Sequence, residues 1–191
     1  MKKALIGAGG HAREVMVQMG NILPCFVDDK YASEDSLPIS SFNPEEYQVL
    51  VAIGGSEDRY NVINSLPKET KYFSFIHPTS IVGDNVNIGK GSFIGAFSIL
   101  TDNIQIGKHS LLNRGNHIGH DCKIGDYLSM MPGSIISGNC IIGNKVYMGS
   151  NSTIRERSNI CNNVVIGMSS CVVKNIKESG IYVGTPCKKI K

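Results

Sequence analysis

The chain has 191 residues, of which 41% are hydrophobic and 18% charged, and its formal net charge is +3. No dense basic stripe marks a nucleic-acid binder, and no apolar run approaches the roughly 18 residues of a membrane span. Arg13 and Glu14 interrupt the one segment that starts like a signal peptide, and six cysteines without a CxxC spacing read as reduced thiols of a cytoplasmic protein. In chain order, KALI predicts a short strand, followed by GAGGH and a helix through Val15, Met16 and Met19. ILPCFV predicts a second strand ending at Asp28 and Asp29. VLVAI predicts a third, ending at Gly54 and Gly55, with a helix near Glu57 to Leu66. Strands alternating with helices make a small parallel α/β sheet.

Gly7, Gly9 and Ala12 fit G-x-G-x-x-A, with an acidic residue about 20 positions on. Taken alone this is a dinucleotide fingerprint. The region is too short for the second half of a dinucleotide fold. A single half suits a mononucleotide whose phosphates sit at the helix N-terminus. The plain alternative is a tight turn that only packs.

From Ser80 to Asn175 the sequence divides into sixteen blocks of six without an insertion. The third position of every block is Val, Ile, Leu or Met. A helix cannot keep a period of six on one face, and a lone strand would show a period of two. Six residues make a short strand plus a corner, and three such units close a triangular coil. Residues 18 apart then stack on adjacent rungs about 4.8 Å apart. The Gly that often follows the aliphatic residue is expected to relax the corner. The chain divides into residues 1–76, an α/β domain, and 77–191, a parallel β-helix with a C-terminal tail.

His77, before a proline at the junction, reads as structural. His109 and His117 read as packed or solvated. His120 differs, because it stands at a coil corner beside Asp121, with Asp102 and Gly138 one rung away on either side. A corner histidine with carboxylates nearby can be an exposed general base held in one tautomer. His109, His117 and His120 occupy three different hexad positions, so they do not make a zinc site. Cys122 and Cys140 stack in one column and read as buried thiols, not nucleophiles.

GAGGHAREV, VDD, AIGGSEDR, GHDCKIGDYLSMMPGSIISGN and GIYVGTPCKK together resemble bacterial acyltransferases of nucleotide sugars and sialic acid with hexapeptide repeats. The resemblance covers residues 3 to 190. It implies a half-Rossmann α/β domain followed by a left-handed β-helix. It also implies a trimer with acetyl-CoA bound between neighbouring β-helices. It implies that Gly9, Gly10 and His11 cradle nucleotide-sugar phosphates, that Asp28 and Asp29 read the nucleoside, and that Gly54 lines that pocket. His120 matches the catalytic base, Asp121 its acidic neighbour, and the Gly138 N–H a donor to the thioester oxygen. Ser129, Ser150 and Met168 fall where acetyl-CoA is contacted. Two departures stand out. Ser129 replaces a second histidine, and Asp121 stands where some relatives carry Glu, a shorter arm that predicts a looser contact with His120.

The expected activity is acetyl-CoA-dependent N-acetylation of a nucleotide-linked amino sugar of the UDP-4-amino-4,6-dideoxy type, in surface glycan assembly, without a metal. O-acetylation of sialic acid or another sugar is the same-class alternative. A non-catalytic scaffold would not need GAGGH, the Asp pair and the His-Asp pair together. An NAD-dependent oxidoreductase lacks its second half-fold.

Overall fold

A computed structural model describes residues 1–191. Its first part is a five-stranded parallel sheet with strand order β3-β2-β1-β4-β5. The strands are β1 (Lys2–Ile6), β2 (Cys25–Val27), β3 (Leu37–Pro38), β4 (Tyr47–Val51) and β5 (Lys71–Tyr72), and the helices are α1 (Gly10–Met19) and α2 (Ser56–Ser65). Alternation in β1 splits its side chains between two cores. Ala4 and Ile6 pack with Phe26, Val49, Ile63 and Leu66, whereas Leu5 packs with Ala12, Val15 and Leu50. α1 ends at Gly20, whose left-handed backbone (φ 62°) turns its N–H back to Met16 and Val17.

From Phe75 onward, strands of mostly two or three residues wind into a left-handed parallel β-helix with three faces. Pairing starts with Phe75–Ile76 on Phe93–Ile94 and repeats every 18 residues, as in Leu112 with Met130 and Met130 with Met148. The inward aliphatics Ile94, Leu112, Met130, Ile118, Ile136 and Ile154 are fully buried. Gly180–Gly184 continues one face and turns back on Cys187–Lys189.

The corners depart from the sequence expectation. Left-handed backbone falls two residues after the frequent Gly, at Phe97, His109, Asp121, Tyr127 and Lys145 among others. The glycines themselves answer to close approach between rungs. A Cβ at Gly107 would lie 2.5 Å from the Gly125 carbonyl carbon, and one at Gly119 would lie 2.5 Å from the Gly138 nitrogen. Any side chain there would collide with the next coil.

The three faces differ outwardly. One carries Phe93, Leu111 and Ser129, all buried beneath the α/β domain; we call it the docked face. A second carries Asn87, Gln105, Lys123, Ile141 and Asn159 and is mainly polar. The third carries Ile81, Ile99, His117, Ile135, Thr153 and Cys171 and is mainly apolar, with Ile81 63% exposed. α2 grips the corner between the polar and docked faces, where Ser56 donates to the Lys145 carbonyl and Lys145 pairs with Glu57. α1 grips the corner between the docked and apolar faces. There the Ala96 N–H donates to Gln18, and Arg114 pairs with Glu14.

Candidate active site

His120 lies at the corner between the apolar and polar faces, with its side chain 62% exposed. Its neighbour Asp121 takes the left-handed conformation of that corner (φ 59°), which brings the carboxylate back to the ring. Asp121 Oδ2 is 2.7 Å from His120 Nδ1. The contact is therefore tight despite the shorter arm. Asn103 Nδ2 donates to the other oxygen at 2.6 Å, and the Asp121 N–H donates to the Asp102 carbonyl. The hydrogen bond from His120, and then that from Asn103, hold the Asp121 carboxyl below the usual carboxylate range. With its proton on Nδ1 toward the carboxylate, the imidazole presents an unprotonated Nε2. Asp102 does not face the ring, because its carboxylate accepts from Asn85 instead.

Gly138 sits one rung on, directly against the ring. A Cβ there would lie 2.8 Å from His120 Nε2. The Gly138 N–H donates to no group of the chain, while the Asn139 N–H beside it is taken by the His120 carbonyl. A base nitrogen and a free backbone donor thus share one corner.

The second region is a cavity of about 730 Å³ at the carboxyl ends of β1, β2 and β4, lined by Gly7, Gly9, Asp28 and Tyr31 over a floor including Ile6, Phe26, Ile53 and Leu66. α1 starts beside it with no capping side chain at Gly9, which leaves the first-turn N–H groups around Gly10 for an external acceptor. Three expected ligands lie elsewhere. The Asp29 carboxylate accepts from the Ser40 N–H and so fixes the chain after β2. The His11 ring turns to the β-helix, edge-on to Phe93, with Nδ1 3.5 Å from Glu14; burial pushes its pKa down. Gly54 offers its carbonyl to the domain interface, accepting from Ser129 Oγ at 2.8 Å, while Ile53 lines the cavity in its place.

Ser129 is a correction of the same kind. It is fully buried on the docked face, where Arg59 donates to its hydroxyl, so it cannot touch a ligand outside the domain interface. Ser150 and Met168 lie on the corner between the docked and apolar faces, with Met168 76% exposed. That edge is across the apolar face from His120. One chain therefore does not bring them together. Cys122 and Cys140 stack in the core with no exposed surface; the Cys122 thiol donates to the Ser137 carbonyl and accepts from the Cys140 N–H, and the adjoining Cys140 thiol, then burial, pushes Cys122 up. Arg59 was not singled out by sequence reasoning. A lone arginine in an eight-residue motif gives no sign that it will be buried.

Residues 2–66 match the family described as the PglD N-terminal domain. A sequence comparison with curated proteins gives no match. Among solved structures, WeeI from Acinetobacter baumannii is 26% identical, with all of both chains covered and a TM-score of 0.87. PerB from Caulobacter crescentus, solved with CoA and GDP-perosamine, is 21% identical, covering 100% of this chain and 98% of that one, also at 0.87. The acetyltransferase domain of PglB from Neisseria gonorrhoeae, solved with acetyl coenzyme A, is 23% identical, covering 99% and 98% at 0.71. Residues 2–66 are thus similar to the PglD N-terminal domain, and the whole chain has the fold that these structures share.

Proposed function

We propose that the protein transfers an acetyl group from acetyl-CoA to the amine of a nucleotide-linked amino sugar. The observation that carries this reading is the His120 corner, with Nδ1 held by Asp121 and Nε2 beside the unengaged Gly138 N–H. The cavity before α1 supports the nucleotide half, since it offers Asp28 to a ribose hydroxyl and helix N–H groups to phosphate. PerB was solved with CoA and an amino-sugar nucleotide on this fold, and the PglB domain with acetyl coenzyme A.

The chemistry follows from the geometry. The sugar ammonium first releases one proton to solvent, and His120 Nε2 takes a second from the neutral amine as it attacks. The nitrogen bonds to the thioester carbonyl carbon, and negative charge builds on the oxygen. The unengaged Gly138 N–H would donate to that oxygen. When the C–S bond breaks, the imidazolium returns its proton to the departing thiolate. No covalent enzyme intermediate is required, and the buried cysteines supply none.

We further read the working unit as a trimer whose sites form between copies. Within one chain the α/β domain covers the docked face, and His120 stands at the opposite corner of the prism. A nucleotide sugar held by that domain is on the wrong side of its own β-helix. Packing copies through the apolar face brings the His120 edge of one copy toward the α1, Ser150 and Met168 edge of the next. It also covers Ile81, Ile99 and Ile135. No helix is long and apolar enough to cross a membrane, and six free thiols fit the cytoplasm, where acetyl-CoA is available.

A panel of UDP-, GDP- and dTDP-linked 4-amino sugars with acetyl-CoA, followed by free-thiol release, tests the reading. Turnover with an amine acceptor supports it. Turnover confined to hydroxyl acceptors such as sialic acid overturns it in favour of O-acetylation.

A further inference from the structure

Arg59 is 1% exposed, yet no carboxylate lies against it. Its charge is met by uncharged acceptors from both domains. On one side Nη1 donates to the carbonyls of Ile53 at 2.6 Å and Gly54 at 3.2 Å. On the other, Nε donates to the His109 carbonyl at 2.9 Å, and Nη2 to those of Tyr127 and Leu128 at 3.1 and 2.9 Å and to Ser129 Oγ at 2.9 Å. Ser129 in turn donates to Gly54, which closes a ring of bonds between the loop and the coil. Burial lowers the guanidinium pKa to about 9, so it stays a cation at neutral pH.

A buried, unpaired cation is a costly way to join two domains, and apolar packing would serve for stability alone. What Arg59 adds is direction, because its planar fork fixes several acceptors at once. The acceptors on one side belong to the loop from β4 to α2, whose Ile53 lines the cavity, and α2 contributes Val62 and Ser65 to its wall, with Leu66 just after it. Those on the other belong to two successive rungs of the coil, whose apolar face meets the next copy in the trimer proposed above.

We propose that Arg59 is a positioning residue, which locks the nucleotide-side cavity to the β-helix so that a bound nucleotide sugar presents its amine at a fixed place. The proposal rests on the nucleotide-sugar reading above. It asks that the cavity lose its geometry when Arg59 is removed, while the coil, with its base and its thioester end, keeps its own.

The test uses the full-length protein and calorimetric titration with the nucleotide sugar that the panel identifies, and separately with CoA. Arg59→Met is expected to weaken nucleotide-sugar binding and raise its KM about tenfold, because the cavity wall loses its anchor, and to lower turnover as well, since a misplacement near 1 Å can cost about 10²-fold in rate. CoA affinity and the KM for acetyl-CoA should stay within about twofold of wild type on the same argument. Normal nucleotide-sugar affinity in the folded variant overturns the proposal. So does equal loss of both ligands, which would mark a general structural role. Should Arg59→Met fail to fold, Ser129→Ala removes one corner of the ring while keeping the cation. It must then shift nucleotide-sugar KM and spare that of acetyl-CoA, and no such split overturns the proposal. A wild-type protein that binds no nucleotide sugar refutes the functional reading instead, and the two failures are distinct.

Discussion

The Nδ1 of His120 and the Oδ2 of Asp121, adjacent in sequence, stand 2.7 Å apart because the left-handed backbone at Asp121 folds the carboxylate back over the ring that precedes it. Neighbouring residues on an extended strand would point away from each other. The coil corner therefore makes the dyad, and the same left-handed corner recurs at Asn103, Asn139 and Arg157.

His120→Ala should lower kcat by roughly 10² to 10⁴, the usual span for a lost general base. Steady-state rates, with acetyl-CoA binding measured alongside, decide it. Near-normal turnover of the variant would remove His120 from the mechanism.

Asp121→Asn should be milder than His120→Ala, because the imidazole stays but loses its charged partner. The depressed carboxyl pKa of Asp121 also has a consequence for folding. The stability it contributes is present at neutral pH and is lost as pH falls through that lowered value. Thermal melts in acid should show a smaller pH dependence in the asparagine variant.

Gly138→Ala should cost on the order of 10- to 100-fold in kcat, through displacement of the ring. The added methyl would sit 2.8 Å from Nε2, and Asp121 resists the movement that would relieve it. The backbone donor survives, so binding of CoA should change little. A variant with full activity would show that the ring moves freely.

Mixed assemblies separate a shared site from a private one. Gly9→Val should block the phosphate end of the cavity without disturbing the fold, since an added Cβ meets no atom within 4 Å. Co-expressed with His120→Ala, it should restore activity to about a quarter of the wild-type level if chains mix at random and each site draws on two copies. No recovery would assign the whole site to a single chain.

Ile135→Glu places a charge in the middle of the apolar face, between Ile99 with His117 on one side and Thr153 on the other. Sedimentation should then report a monomer. Nucleotide-sugar binding should persist, and turnover should not. A variant that remains trimeric would mean that copies meet elsewhere.

The hexads made the coil legible residue by residue, because each large aliphatic has one inward place and 18 residues return it to the same face. His120 and Gly138 could be set side by side from spacing alone. Ser129 could not be placed, because its fate depends on Arg59, 70 positions earlier in another domain. His11 and Asp29 lie outside the cavity lining for a related reason. GAGGH and the Asp pair mark where a loop ends, but Phe93 and the Ser40 N–H decide which way the side chains turn. The role of the corner glycines was likewise hidden, since the clash each one avoids is with the following rung.

Because each face recurs every 18 residues, the β-helix can change length only in whole turns. A single inserted residue near Ile142 would carry every later inward aliphatic to the surface. A tandem duplication of one complete turn would leave all faces in phase and merely move the C-terminal hairpin one rung along. The repeat thus acts as a unit of inheritance as well as of structure. Gene duplication can lengthen the prism while leaving the corner that holds His120 unchanged.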